Sequence, residues 1–514
     1  MVYTPAYILG GVGYVDERQT LPEAVAQIVP INFSWPPGHV LRYGNNTVPG
    51  TTDMTAAIQA AITQAGYGGS DVYLPTGTYL ISSDLIGSLG TQWLQGGTGP
   101  FLINIRGDGK GQSIIQCSAS GTFTNGALTF IGGGAIKLGG TVRDILIHCN
   151  QTAPCALLLK QTDTMAVRDC ILRNVPGHAV LVDSSLSADF DNIYISGAGS
   201  ASQGCFEIDG TLNNSTTITL RKVYVSSGNA GSLCGIRIDR ADDIEVDGGA
   251  VESSGTAIQI GCRATTSNVD TVHIHDQDYE NVGNGNVFID IGSGLSGGAL
   301  CVNVTIDNIS GFPSGTTNIP YAIRMQNCVG THIEDTLLVQ PTGVAPTSYI
   351  EMVGTNVSGT VVGEHRSLQG TVTWPWARYN GTQIKAWGPQ HRNALGLVQS
   401  GTPICTHKGL SGYGSATNLT GASPDIRIST AVGGFYDFIG VANAGAITMT
   451  LSGGEPGMDI DLLFLDANAT LSTGVGAAQF TLQAGQANPP AAKSVLSFRN
   501  DGQAGTGGNH WTQK

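Results

Sequence analysis

Between Val142 and Leu368 the chain alternates apolar and polar residues in short runs, and the runs come in two kinds. One kind reads "VRDILIHC" (Val142–Cys149), "VRDCILRN" (Val167–Asn174), "FDNIYISG" (Phe190–Gly197) and "LRKVYVSS" (Leu220–Ser227), and continues to "VNVTIDNI" (Val302–Ile309). Between them fall "GHAVLVD" (Gly177–Asp183), "GCFEIDG" (Gly204–Gly210), "CGIRIDR" (Cys234–Arg240), "GTAIQIG" (Gly255–Gly261) and further copies up to "SYIEMVG" (Ser348–Gly354). Period-2 alternation predicts strands with one face inward and one face wet. The unit recurs every 22 to 35 residues or so, a spacing that signals a solenoid. One coil cannot bury its own inner face, but stacked coils close a continuous core, so the pattern predicts a parallel β-helix.

Ahead of the repeat, "DMTAAIQAAITQA" is the one clear helical pattern. Asp53 is placed to cap it, and Ala57, Ile58, Ala61 and Ile62 form an apolar stripe. A β-helix must cover the core and strand edges at its open end, so this helix, near 53–65, is predicted to be the cap. "DVYLPTGTYLI" then reads as the first strand pair. Past the aromatic stretch Thr371–Asn393 the pattern changes to short strands with Gly/Asn turns ("FYDFIGV", "AITMTL", "DIDLLFL", "SVLSFRN"), read as a β-sandwich or jelly roll. The predicted layout is an N-terminal segment over 1–40, the β-helix with its cap over 41–370, a connecting segment over 371–408 and the sandwich over 409–514.

Composition agrees with an all-β chain and narrows its partners. The 73 glycines among 514 residues are scattered, which suits many turns. The formal net charge is −14 and no Lys/Arg cluster tracks phosphate, so nucleic acid is excluded as a partner. No apolar run approaches the roughly 20 residues of a membrane span, and the N-terminus has no export signal pattern. The ten cysteines include no CxxC pair, and most recur at about the repeat spacing; they are read as small buried apolar side chains.

Candidate chemistry crowds the middle coils. Stacking by alternation alone puts Tyr194, Tyr224, Glu245, His273 and Thr305 in one outward row, with Asp247, His275 and Asp307 two residues on. Glu252 and Glu280 come level, with Asp278 nearby. On the other strand type the outward row is Leu181, Glu207, Arg237, Gln259, Asp290, Arg324 and Glu351, followed by Asp183, Asp209 and Asp239. Hydrolysis of a sugar linkage needs one protonated and one ionised carboxylate flanking the bond. Glu207, Asp209, Asp239, Asp247, Glu252, Asp278 and Glu280 are therefore the candidate catalytic acids. Tyr194, Tyr224, Arg237, Glu245, His273, His275 and Asp290 are the candidate sugar contacts. The plainer alternative is a solvated surface with cross-coil ion pairs such as Glu207–Arg237 or Arg324–Glu351. His273 and His275 with neighbouring acids suggest a metal, but a hydrogen-bonded surface cluster is preferred, and no metal or cofactor is assigned.

The order of "LRYGNNTVPGTTDMTAAIQAAI" and "VYLPTGTYLI" resembles the entry to the pectate-lyase-like right-handed parallel β-helices, a class that includes bacteriophage tailspikes. The polygalacturonase signature is not carried over, because Asp242–Asp243 follows Gly177–His178 and Arg237–Ile238 precedes the pair. The tailspike branch fits better, and the closing "SVLSFRNDGQAGTGGNHWTQK" resembles the last hairpin of phage tail domains. That resemblance implies a homotrimeric virion tail protein, attached to the tail or baseplate through its N-terminus, that binds and hydrolyses a bacterial surface polysaccharide. The alternatives are a polysaccharide lyase and a spike that binds without cleaving.

Overall fold

The computed structural model describes residues 31–68, 71–88, 101–133, 138–226, 232–252, 255–280, 287–312 and 321–334, together with separate short stretches from 336 to 514. The chain divides into two compact units, residues 1–283 with 288–314, and residues 284–287 with 315–514. Among the described residues no helix is long and apolar enough to cross a membrane.

The first unit opens with helix α1 (Thr55–Gly68), where the sequence places the cap. Asp53 Oδ1 accepts from the Thr55 N–H at 2.9 Å, and Asp53 Oδ2 accepts from Ser82 Oγ at 2.6 Å. Asp53 thus caps the first turn and also ties it to the strand Gly77–Ser83. The predicted apolar face is buried, with Ala57, Ile58, Ala61 and Ile62 all sealed against the core. On the flank of the helix, the Gln59 amide donates to the Ile86 carbonyl and accepts from the Ile86 N–H, both at 2.8 Å. The side chain thereby satisfies edge groups of the strand Leu85–Ser88 that would otherwise invite another strand. Val72–Leu74 and Gly77–Ser83 are successive strands of the first coil, and each pairs in parallel with the next coil rather than with the other.

Each full coil has three faces, where alternation alone suggested two. Face A is carried by short strands such as His178–Asp183, Phe206–Asp209, Cys234–Ile238 and Thr256–Ile260. Faces B and C share one long strand per coil, as in Leu186–Ser196, Ser215–Ser226, Ala241–Glu252 and Val269–Glu280. That strand turns at a single left-handed residue: Asp169, Asn192, Lys222, Gly248, Asp276 and Asn308 all have φ between 45° and 62°. A second left-handed corner, at Thr164, Ser187, Thr217, Asp243, Thr271 and Asn303, leads from face A into face B. Asn and Asp suit this backbone, and Asn192 Nδ2 donates to Asp169 Oδ1 at 2.6 Å along the corner row.

Successive coils repeat at 23, 30, 26, 28 and 32 residues, the offsets between Met165, Ala188, Ile218, Ile244, Val272 and Val304. The register stacks Val167, Phe190, Leu220, Val246, Ile274 and Ile306 in one inward row, all fully buried. Burial of each such side chain contributes about 1.5–3 kcal/mol. The cysteines behave as the sequence predicts: all those described are free, and all but half-buried Cys262 are buried.

In the second unit Tyr321–Val329 pairs in parallel with Ser348–Ser358, which pairs in parallel with Ala377–Tyr379. Ala377–Tyr379 also pairs antiparallel with Thr382–Ile384, whereas Trp374, Trp376 and Trp387 lie outside the described residues, as do residues 1–30. Nearer the C-terminus the described strands form two sheets, whose pairing differs from that of a jelly roll. Thr417–Asn418, Ile439–Ala442 and Asp459–Phe464 pair in parallel, and so do Asp425–Ile428, Ile447–Gly453 and Ala469–Leu471. Ser494–Asn500 and Trp511–Gln513 pair antiparallel as the predicted closing hairpin, and Ser494–Asn500 also pairs antiparallel with Asp459–Phe464. Short alternating strands with Gly turns look the same in hairpins and in solenoid coils, because alternation fixes a strand but not its partner.

Gly249, just past a corner, has φ +115°, and a Cβ there would lie 2.3 Å from the Val223 carbonyl oxygen of the preceding coil. Gly249→Ala is expected to cost roughly 2–4 kcal/mol, read as a lowered urea midpoint. Gly111→Ala, with open space around its Cβ, is expected to leave the midpoint nearly unchanged.

Candidate functional site

The register distributes the sequence-predicted site residues over three faces. Tyr194 and Tyr224 are neighbours on face C, where the row continues to Ala250 and Asp278. Glu245 and His273 belong instead to a face B row with Thr219 and Thr305. The single row predicted for these residues is therefore corrected to two. The left-handed corner residue uses up one position without taking part in the alternation, so a slip across it is invisible in the pattern. Glu252 and Glu280 are level, as predicted, but on face C, where Ser226 Oγ donates to Glu252 at 3.2 Å. Asp278 accepts from Ser310 Oγ at 2.8 Å.

Face A keeps its predicted order, Leu181–Glu207–Arg237–Gln259–Asp290, with Asp183 beside Asp209. Its outer side is not wet, however, which corrects the expected exposed ladder. Glu207 and Asp239 are fully buried, Asp209, Arg237, Gln259 and Asp290 nearly so, and every residue of Cys234–Ile238 and Thr256–Ile260 is buried on both faces. Two arginines from the turns that follow face A fold over the row. Arg240 makes a bidentate pair with Asp209, 2.7 Å to each carboxylate oxygen. Arg263 bonds Glu207 with one terminal nitrogen and Asp209, at 2.5 Å, with the other, and its Nε lies 3.8 Å from Asp239. Asp239 Oδ1 also accepts from the Arg263 N–H at 3.0 Å.

A third arginine, Arg237, brings Nε to 2.6 Å from Asp239 Oδ2, yet the two atoms are not aligned as a hydrogen bond. Glu207 Oε2, Arg237 Nε, Asp239 Oδ2 and Gln259 Oε1 are thus buried polar atoms with unused hydrogen-bonding capacity, gathered on one face. Each such atom costs about 1–3 kcal/mol, so native structures carry few. His178 sits against the same carboxylate, its Nδ1 3.4 Å from Glu207 Oε2. That nitrogen is 3.1 Å from the Gly204 carbonyl, and Gln203 Nε2 is 3.1 Å from the other ring nitrogen, so Nδ1–H donates and Nε2 accepts.

Burial sets the electrostatics of the row. It pushes the Glu207 carboxyl up to about 7, against the pull of Arg263 and Arg237. It also raises Asp239, which Arg237 and Arg263 oppose. It lowers the His178 ring to about 4, so His178 is neutral at physiological pH and adds no charge. Glu207 is therefore a carboxyl that keeps its proton up to about neutrality in the same buried row as Asp209 and Asp239, and a retained proton is what the general acid of glycosidic cleavage requires.

On face B, His275 lies among Glu245, Asp247 and Asp276, and those carboxylates hold its ring above its ordinary range although burial pulls it down. His178, Gln203, Arg240 and Arg263 were not predicted as site residues. They lie in turns or at a strand start, where no periodicity marks them. The one sequence signal was the row of outward acids that Arg240 and Arg263 neutralise.

The family model described as rhamnogalacturonase A/epimerase, pectate lyase-like, matches residues 40–270. No curated protein matches the sequence. Among solved structures, the chain is similar to ORF18 of Geobacillus virus E2 at 16% identity, with 68% of this chain and 65% of that chain covered and a TM-score of 0.43. The A-module of mannuronan C-5 epimerase AlgE6 from Azotobacter vinelandii is similar at 15% identity, covering 67% and 98%, with a TM-score of 0.41. The endo-xylogalacturonan hydrolase of Aspergillus tubingensis is similar at 15% identity, covering 64% and 99%, also with a TM-score of 0.41.

The raised Glu207 has a consequence for stability. Its carboxyl goes from an ordinary 4.5 to about 7 on folding, so the contribution is complete below 4.5 and is lost as pH rises through about 7. Between pH 5 and pH 8 the protein should lose roughly 2–3 kcal/mol relative to Glu207→Gln, measured by urea unfolding of both at each pH.

Proposed function

From the premise that the chain is a pectate-lyase-like right-handed parallel β-helix, we propose that it is a glycoside hydrolase that depolymerises a bacterial surface polysaccharide, with its acid–base centre on face A. The observation that carries this reading is the Glu207 carboxyl: buried, raised to about 7, and with hydrogen-bonding capacity unused at Oε2, in the row that continues on the next coil to Arg237 and Asp239. Glu207 gives its proton to the leaving glycosidic oxygen as the C–O bond breaks. Asp239, in its ionised form, takes the proton of the water attacking the anomeric carbon; or it attacks that carbon itself, and water, giving its proton to the Glu207 carboxylate, then hydrolyses the resulting ester. Asp209 is occupied by Arg240 and Arg263 and acts as their anchor.

Access to the centre runs through Arg263. Its side chain is 35% exposed, against 7% for Arg237 and 20% for Arg240, so a sugar reaches Glu207 by displacing this guanidinium. Arg237 and Gln259 then offer a donor and an acceptor to sugar hydroxyls. The outward Tyr194 and Tyr224, each about two-fifths exposed on adjacent coils, provide flat apolar surface suited to further sugar rings. The phage setting, with a homotrimer on a virion tail and attachment through the N-terminal segment, extends this reading and rests on the sequence resemblance.

The test is size-exclusion analysis of capsular, exopolysaccharide and O-antigen preparations before and after incubation with the protein. Shortened chains with new reducing ends and no unsaturated, ultraviolet-absorbing product are expected. Glu207→Gln and Asp239→Asn should each lower the rate by about 10²–10⁴-fold. Because the acid must be protonated, kcat should fall as pH rises through about 7. An ultraviolet-absorbing product would make the enzyme a lyase, and binding without shortening would make it an adhesin. Light scattering is expected to give a trimer, and a stable monomer would remove the tailspike assignment.

A further inference from the structure

Face B carries a second constellation that the hydrolytic reading does not use. Glu245 and His273 are direct neighbours across adjacent coils, and Asp247 and His275 are the next such pair on the same face. His273 and His275 alternate along one strand, so both side chains project to the same side, with ring centroids 4.5 Å apart. One donor atom each from Glu245, His273 and His275 lies within 4.8 Å of the other two. The backbone beneath them is held in register on both sides, by Ser215–Ser226 and by Cys301–Asp307, so the donors stand on a rigid platform.

The orientation of His275 selects among the possible donor sets. Its Nε2 faces Glu245 Oε1 at 3.4 Å, toward His273. Its Nδ1 faces away, 3.2 Å from Asp276 Oδ2 and 3.5 Å from Asp247 Oδ1. Metal-ligating histidines almost always donate their other ring N–H to a carboxylate, a backbone carbonyl or water, which fixes the tautomer and raises the basicity of the ligating nitrogen. Asp276 is itself held, since Asn308 Nδ2 donates to its other oxygen, Oδ1, from the next coil. A free surface histidine needs no such chain of supports, whereas a ligand does.

We propose that Glu245, His273 and His275 form a binding site for a borderline divalent transition-metal ion of the zinc class, with Asp276 as the positioning residue that orients His275. Two imidazoles and one carboxylate favour Zn²⁺, Co²⁺ or Ni²⁺ over Ca²⁺ or Mg²⁺, which prefer oxygen donors only. The three ligands leave coordination positions open toward solvent, since Glu245 is about half exposed. The site stands apart from the acid–base centre of face A in both residues and chemistry.

The experiment uses the full chain, stripped with a chelator, desalted and titrated with ZnCl₂ by isothermal calorimetry, with Co²⁺ absorption as a second readout. One equivalent of Zn²⁺ is expected to bind, and Co²⁺ should give visible bands of a low-coordinate complex. His273→Ala and Glu245→Gln should each weaken binding at least tenfold, and Asp276→Asn by about 10–100-fold, because it removes only the outer support. Glu207→Gln should bind metal as the parent does, which separates this site from the hydrolytic one. His332→Ala, altering an exposed His–Glu pair elsewhere, should also leave binding unchanged. The exposed positions of Glu245 and His273 allow folding to be verified by circular dichroism in each variant. Absence of stoichiometric Zn²⁺ binding, binding that survives the His273→Ala, His275→Ala double substitution, or a preference for Ca²⁺ would each overturn the proposal.

Discussion

The parallel ladder between successive coils is the interaction on which the rest of this structure depends. Once Val167, Phe190, Leu220, Val246, Ile274 and Ile306 lie in one buried row, every other residue of those coils is fixed in register. A slip by one position would send the whole apolar set into solvent, so the hydrophobic term enforces the pairing. Left-handed corners at the same level of each coil keep the three faces aligned while turns absorb the variable repeat length. Outward side chains on neighbouring coils are then held about 4.8 Å apart, close enough for ion pairs and hydrogen bonds without further design.

That regular spacing has opposite consequences on different faces. On faces B and C the outward residues reach water, and charged neighbours cost little. On face A the turns close over the strands, and the same spacing places buried Glu207, Asp209 and Asp239 beside buried Arg237 and beneath the partly exposed Arg240 and Arg263. A buried ionic network of this kind often stabilises less than an apolar replacement of equal volume, because desolvation offsets the attraction. Its presence, with polar atoms left unused, fits a face shaped for chemistry better than one shaped for stability.

The two polar centres differ in how they are tuned. At Glu207 desolvation favours the proton and outweighs Arg263 and Arg237; at His275 desolvation disfavours the charged ring but is outweighed by Asp276, Glu245 and Asp247 together. One rigid scaffold therefore presents a dry acid and a wet ligand cluster on neighbouring coils. Glu207 and Arg237 on face A and Glu245, His273 and His275 on face B all stand on paired strands, while Arg240 and Arg263 come from turns.

The sequence by itself determined the solenoid, the capping helix with Asp53 and its apolar stripe, the buried cysteines and the order of the face A row. All of these follow from local periodicity or from the burial that periodicity demands. Only the tertiary structure decided that a coil has three faces, that Tyr194 stacks with Ala250's row rather than with Glu245, and that C-terminal strands pair in parallel. A left-handed corner shifts the phase of the alternation by one position, and strand pairing is a long-range choice that no local pattern records. Burial of the face A acids was likewise illegible, because it comes from Arg240 and Arg263, whose positions in irregular turns are set by the folded chain alone.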